Sequence, residues 1–185
     1  MRVAVVEEAE SQASAQVFPP EENDSNLRAN PQAIEGIAMA RQYPPLRNFL
    51  AAINGADSVF ATAGTTVKAD SPAAVSAGPA YEFASETMIV FADPSLNQER
   101  KQYADLCAGL KELLERDSAD AARAALCISS CEFPAHKRRG FCLSIRLVAE
   151  GSSEQQAELR WGLGLARVQQ ALLFCSRALK HLAAG

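Results

Sequence analysis

The clearest periodicity in the chain lies near its C-terminal end. Trp161, Leu165, Val168, Leu172, Cys175, Leu179 and Leu182 recur at alternating steps of four and three. Steps of that size put all seven on one stripe of an α-helix, so residues from Ser152 onward are expected to form one long amphipathic helix. Ser152 and Gln155 have the spacing of a capping box at its start. Glu154 and Glu158 near one end, and Arg177, Lys180 and His181 near the other, suit the helix dipole. Leu159, Leu163, Leu173 and Phe174 fall off the stripe, and a helix that is apolar on more than one side calls for a second partner. Gly162 and Gly164 would let another backbone approach, at a helix-propensity cost of about 1 kcal/mol each.

Upstream the pattern changes twice between helical and alternating. Asn30-Pro31 has the chemistry of a helix start, with Ile34, Ile37, Ala38 and Arg41 at helical spacing. Tyr43-Pro44-Pro45 stops that helix. A second one presents Leu46, Phe49, Leu50 and Ile53 before Asn54-Gly55 caps it. Val59 to Val67 is rich in Thr, Val and small residues, which suits a strand. Tyr81, Phe83, Ser85, Thr87, Ile89 and Phe91 alternate with Glu82, Ala84, Glu86, Met88, Val90 and Ala92, the mark of a half-buried strand. Asp93-Pro94 opens a helix carrying Leu96, Tyr103, Leu106, Leu110, Leu113 and Leu114. Ala124 to Phe133 and Phe141 to Val148 then read as two strands around the turn Pro134 to Gly140.

Strand–strand–helix thus occurs twice, over 57–116 and 122–184. The expected fold is an α+β domain over 31–185, in the order α-ββ-α-ββ-α. It has an antiparallel sheet of four to five strands and helices packed on one face. Residues 1–30 are expected to be a mobile tail. From about Glu7 to Asn30 they are rich in Ser, Gln, Glu, Pro and Asn and offer too little apolar surface to offset ordering. Arg2 to Val6 is the one piece of it suited to an edge strand.

Composition narrows the function classes. A net charge of −4 and a pI near 5.3 argue against generic binding to nucleic acid or to anionic membrane. No apolar run approaches the roughly 20 residues of a transmembrane helix. The N-terminal MRVAVVEEAESQ meets acids at Glu7 and Glu8 and lacks the long apolar core of a secretory signal. Five dispersed cysteines, an odd number, suit reduced thiols and a cytoplasmic location.

The sharpest chemical candidate is Cys127-x3-Cys131-x4-His136-x5-Cys142. It holds the ligand set of a Cys-Cys-His-Cys zinc site in the order of a zinc knuckle. Two gaps are one residue longer than in that pattern, and the segment lacks the glycines of a tight metal loop. The competing and simpler reading is that small cysteines fill a sheet face. Lys137, Arg138 and Arg139 are the densest positive charge in the chain. They would grip an acidic partner, or else form a solvated hairpin tip that protects an edge. Ala63-Gly64-Thr65-Thr66 lacks the spacing of a P-loop and reads as a small-residue bend or hairpin turn. Glu82 and Glu86 read as an exposed sheet face. No nucleophile-elbow or zinc-protease pattern supports an enzyme.

The order of elements, in a small acidic chain, resembles the class I type III secretion chaperones. The resemblance covers residues 31–184, rests on element order and acidity, and transfers no site residues. It implies a cytoplasmic homodimer that holds an extended segment of a partner protein. The leading expectation is therefore a non-enzymatic protein-binding or adaptor domain, whose partner is another protein or itself. Its surface would include Lys137, Arg138, Arg139, Trp161, Leu165 and Phe174. Zinc at Cys127, Cys131, His136 and Cys142 is the first alternative. A small-molecule binder or enzyme, with a pocket between sheet and helices around Tyr81, Phe83 and Trp161, is the second.

Overall fold

The alternating segments become strands and the periodic ones become helices. The computed structural model describes residues 1–7, 16–17, 26–70, 81–116, 122–133 and 138–184. The strands are β1 (Arg2–Glu7), β2 (Gln16–Val17), β3 (Phe60–Asp70), β4 (Tyr81–Phe91), β5 (Ala122–Phe133) and β6 (Arg138–Gly151). The helices are α1 (Ala38–Gln42), α2 (Pro44–Ile53), α3 (Arg100–Glu115) and α4 (Glu154–Ala184), with 3-10 turns over Pro31–Gly36 and Pro94–Gln98.

The sheet runs β1-β5-β6-β4-β3, with β2 paired further along β5. The β3/β4 and β5/β6 pairs are antiparallel, as consecutive hairpin strands are, and β6 also pairs antiparallel with the non-consecutive β4. Helices cover one face. There Phe83, Ile89 and Phe91 of β4, Leu126 of β5 and Leu143, Ile145 and Leu147 of β6 meet Leu46, Phe49 and Ile53 of α2, Tyr103 and Leu110 of α3, and Trp161 and Leu172 of α4 in one buried core. α4 packs on β4 and β6 and is flanked by α2 and α3.

The two glycines of α4 make close approaches within this chain. A Cβ on Gly164 would lie 3.1 Å from Cβ of Ala122 and 3.2 Å from Leu147, and one on Gly162 would lie 3.0 Å from the Pro45 ring. Gly164 therefore lets α4 sit down on the sheet, and Gly162 lets α2 come against α4.

Five expectations are corrected. Of the expected tail over residues 1–30 the described parts are 1–7, 16–17 and 26–30, and they pack on the domain, with Arg2 to Val6 in the edge strand their pattern suited. β1 is a parallel edge strand on β5, Met1 and Val3 are buried in the core, and Leu27 is buried too. Main-chain pairing with β5 and the inward side chains of Met1 and Val3 hold β1 on the sheet. The Nη1 atom of Arg28 also donates to the carbonyls of Gly55, Ser58 and Phe60 at 3.3, 2.9 and 3.2 Å, clamping the α2–β3 turn. The start of α4 is shifted by one position. Ser153 Oγ accepts from Gln156 N at 3.2 Å, and Gln156 Oε1 accepts from Ser152 N at 2.7 Å. The expected capping pair Ser152 and Gln155 is therefore replaced by Ser153 and Gln156, with Ser152 one residue outside. Ala63-Gly64 is a bulge within β3 rather than a hairpin turn, because the register with β4 slips between Thr62 and Gly64. Leu182 ends the apolar stripe but is 80% exposed, since α4 outruns the core. Trp161 and Leu165, expected at a partner surface, are buried against the sheet, because their side of α4 is the one that faces it.

Candidate functional site

The outward side of α4 carries the most conspicuous surface. On a 31-residue helix, Leu159, Leu163 and Phe174 fall opposite the buried Trp161, Leu165, Val168 and Leu172. They are 65%, 57% and 55% exposed. Single exposed leucines need no explanation, but aligned ones bordered by concave surface mark interaction sites.

Two grooves border this stripe on its opposite flanks. On the α2 side, Pro45, Asn48, Glu158, Leu159, Gly162 and Leu163 line a groove of about 570 Å³. Gly162 lies in its lining, where the lack of a side chain lets Pro45 come into contact with α4. On the α3 side, Leu113, Leu114, Arg167, Ala171, Phe174 and Arg177 line a second, of about 510 Å³. The first is largely apolar, with the amides of Asn48, Gln155 and Gln169 and the carboxylate of Glu158 along it. The second has an apolar floor and two guanidinium groups, and its lining has no acid among the described residues. Arg167, Gln170, Phe174 and Arg177 follow one another at steps of three, four and three. That signal was in the sequence, overshadowed by the longer apolar stripe on the opposite side of the helix.

The aromatic residues around Phe83 and Trp161 fill the space between sheet and helices with their own rings. Phe83 lies 4.7 Å from Trp161, and Tyr43 closes over both at 5.2 and 5.8 Å. Trp161 Nε1 donates to Ser85 Oγ at 2.8 Å, so the indole is satisfied while fully buried. Tyr81, at the start of β4, is half-buried.

Cys127, Cys131 and Cys142 belong to neighbouring strands. Ser129 pairs with Cys142, Cys131 with Gly140 and Cys127 with Ser144. Cys131 and Cys142 are buried in a small second cluster with Val90 and Phe133. Among the described residues no three His, Cys, Asp or Glu side chains gather as metal ligands, and His136 lies outside those residues. None of the five cysteines forms a disulfide with another described residue. Burial pushes the Cys107 thiol up to about 11 and raises that of Cys175 as well. Both are therefore protonated, weak nucleophiles at neutral pH.

Of the basic turn, Lys137 lies outside the described residues. Arg138 and Arg139 are exposed at the start of β6. Arg139 Nε meets Glu132 Oε1 across the β5/β6 ladder at 3.3 Å, and Arg138 lines a shallow recess of about 290 Å³ with Pro94, Gln98 and Phe133. Glu86 is exposed on the sheet face away from the helices, opposite Arg146 in register.

No protein family, curated protein or solved structure matches this chain. The surface itself must carry the functional argument. No helix among the described residues is long and apolar enough to cross a membrane.

Proposed function

We propose that the protein is a non-enzymatic binding or adaptor module of the cytoplasm that works as a homodimer, engaging protein through the outward side of α4. One observation carries this reading. Among the described residues, three of the six exposed large hydrophobic side chains, Leu159, Leu163 and Phe174, lie on that one side of α4. The apolar groove beside Leu159 and Leu163 suits a second copy, which would bury the stripe in the isologous contact that most homodimers use. Five dispersed cysteines, an odd number, suit a reducing compartment.

Native mass spectrometry on the unreduced, untagged chain tests this. The expected result is twice the chain mass without adduct, reverting to the monomer in Leu163→Glu, where a charge would have to be buried. A wild-type monomer would sink the homodimer. A stoichiometric zinc adduct, absent in Cys131→Ser, would replace this reading with the zinc module at Cys127, Cys131, His136 and Cys142.

A further inference from the structure

Resting on the homodimer reading above, we infer that two copies of α4 pack antiparallel about a two-fold axis at the position of Val168, with Phe174 of each copy seated in the other's α2-side groove.

The groove and the side chain that fits it lie on one helix. Gly162 contributes no side chain between Leu159 and Leu163, and Pro45 closes the floor beneath it. Phe174 stands 55% exposed further along α4. Within one chain the two are about 18 Å apart along the helix axis, so neither can cover the other. A two-fold partner brings each to its counterpart, as an isologous contact requires.

The spacing sets the register. Leu159, Leu163, Ala166, Gln170 and Arg177 are exposed, and half-buried Leu173 completes a seam with alternating steps of four and three. That series reads the same in both directions about Val168. An antiparallel copy therefore lays Leu163 against Leu173, Ala166 against Gln170 and Gly162 against Phe174, as along the seam of two helices packed at a shallow angle. Ala166, beside the axis, is small enough to keep the helices close.

Charge selects the direction. In this register Arg177 comes beside the partner's Leu159, one position from Glu158, which lines the groove. Arg177 Nε already donates to the Leu173 carbonyl within its own helix at 3.4 Å. Glu158 is thus not a missing counter-ion for it; the pair distinguishes one orientation from the other. A parallel copy would set Glu158 beside Glu158 and Arg177 beside Arg177.

Sedimentation equilibrium on the full chain tests the arrangement. Phe174→Ala is expected to raise the dimer dissociation constant by about tenfold or more. Glu158→Lys and Arg177→Glu should each weaken the dimer, and the two together in one chain should restore it to within about threefold of wild type. Mixing Ala166→Cys chains with Gln170→Cys chains in oxidised glutathione should link the two variants to each other in preference to either with itself. Both positions are exposed, so the fold is not at stake. A dimer indifferent to Phe174→Ala, a double variant as weak as its parents, or Ala166→Cys chains linking mainly to themselves would overturn this arrangement while leaving the homodimer in place. A wild-type monomer would remove both.

Discussion

Ser85 shows how one small polar side chain can fix a large one. It sits on the helix-facing side of β4, 4% exposed, and its hydroxyl accepts the indole N–H of Trp161 at 2.8 Å. An alanine there would fill the space but leave that N–H buried without a partner. Ser85→Ala is therefore expected to lower stability by about 1–3 kcal/mol. Trp161 is the only tryptophan, so urea unfolding followed by its fluorescence reads the change directly. The alternation of β4 already placed Ser85 on the same face as Phe83 and Ile89. Its pairing with a helix residue 76 positions away was not legible, because a hydroxyl in an apolar row carries no mark of which donor will reach it.

At the scale of elements, the start of α4 separates two readings of similar sequence. Ser152 and Ser153 are adjacent, and Gln155 and Gln156 follow at the same offset, so spacing alone allows either pair to cap the helix. The close packing of Gly151 decides it. A Cβ there would lie 2.5 Å from the Ala157 nitrogen, so the chain turns sharply before the helix and makes Ser153 the first cap. Ser153→Ala should cost about 1 kcal/mol in urea unfolding, and Ser152→Ala clearly less. Helix positions, strand alternation and the two strand–strand–helix units were all readable from periodicity. The split of the first helix into a 3-10 turn and α1 was not, nor was the break at Glu99 between the Pro94–Gln98 turn and α3, nor the bulge at Gly64, because each depends on what the backbone packs against.

At the scale of the whole molecule, Cys107 and Tyr103 are fully buried core groups that resist ionisation. Burial raises Cys107 to about 11 from an ordinary value of 9.0, and it raises Tyr103 above 10.0. The folded chain thus keeps protons that the unfolded chain releases at alkaline pH. The stability they contribute is full below pH 9 and is lost as pH rises toward 11 for Cys107 and beyond 10 for Tyr103. The urea midpoint is accordingly expected to fall between pH 8.5 and pH 10 by the logic of the Cys107 shift, and Cys107→Ala should flatten that part of the profile. No change in the wild-type midpoint across this range would mean that neither group governs alkaline stability.

The sequence by itself determined the elements, their order and which face of each is apolar, because hydrophobic period is a local property of the chain. It also marked α4 as a helix with apolar groups to spare. The tertiary structure decided which of those groups are spare. Trp161 and Leu165 went to the sheet, while Leu159, Leu163 and Phe174 were left outside, because only one side of α4 can face β4 and β6. It also brought Leu113 and Leu114 beside Arg167 and Arg177 to form a groove, and it recruited Met1 and Val3 into the core through parallel pairing with β5. Contacts between segments more than fifty residues apart leave no period in the sequence, so a site built from them exists only once the chain has folded.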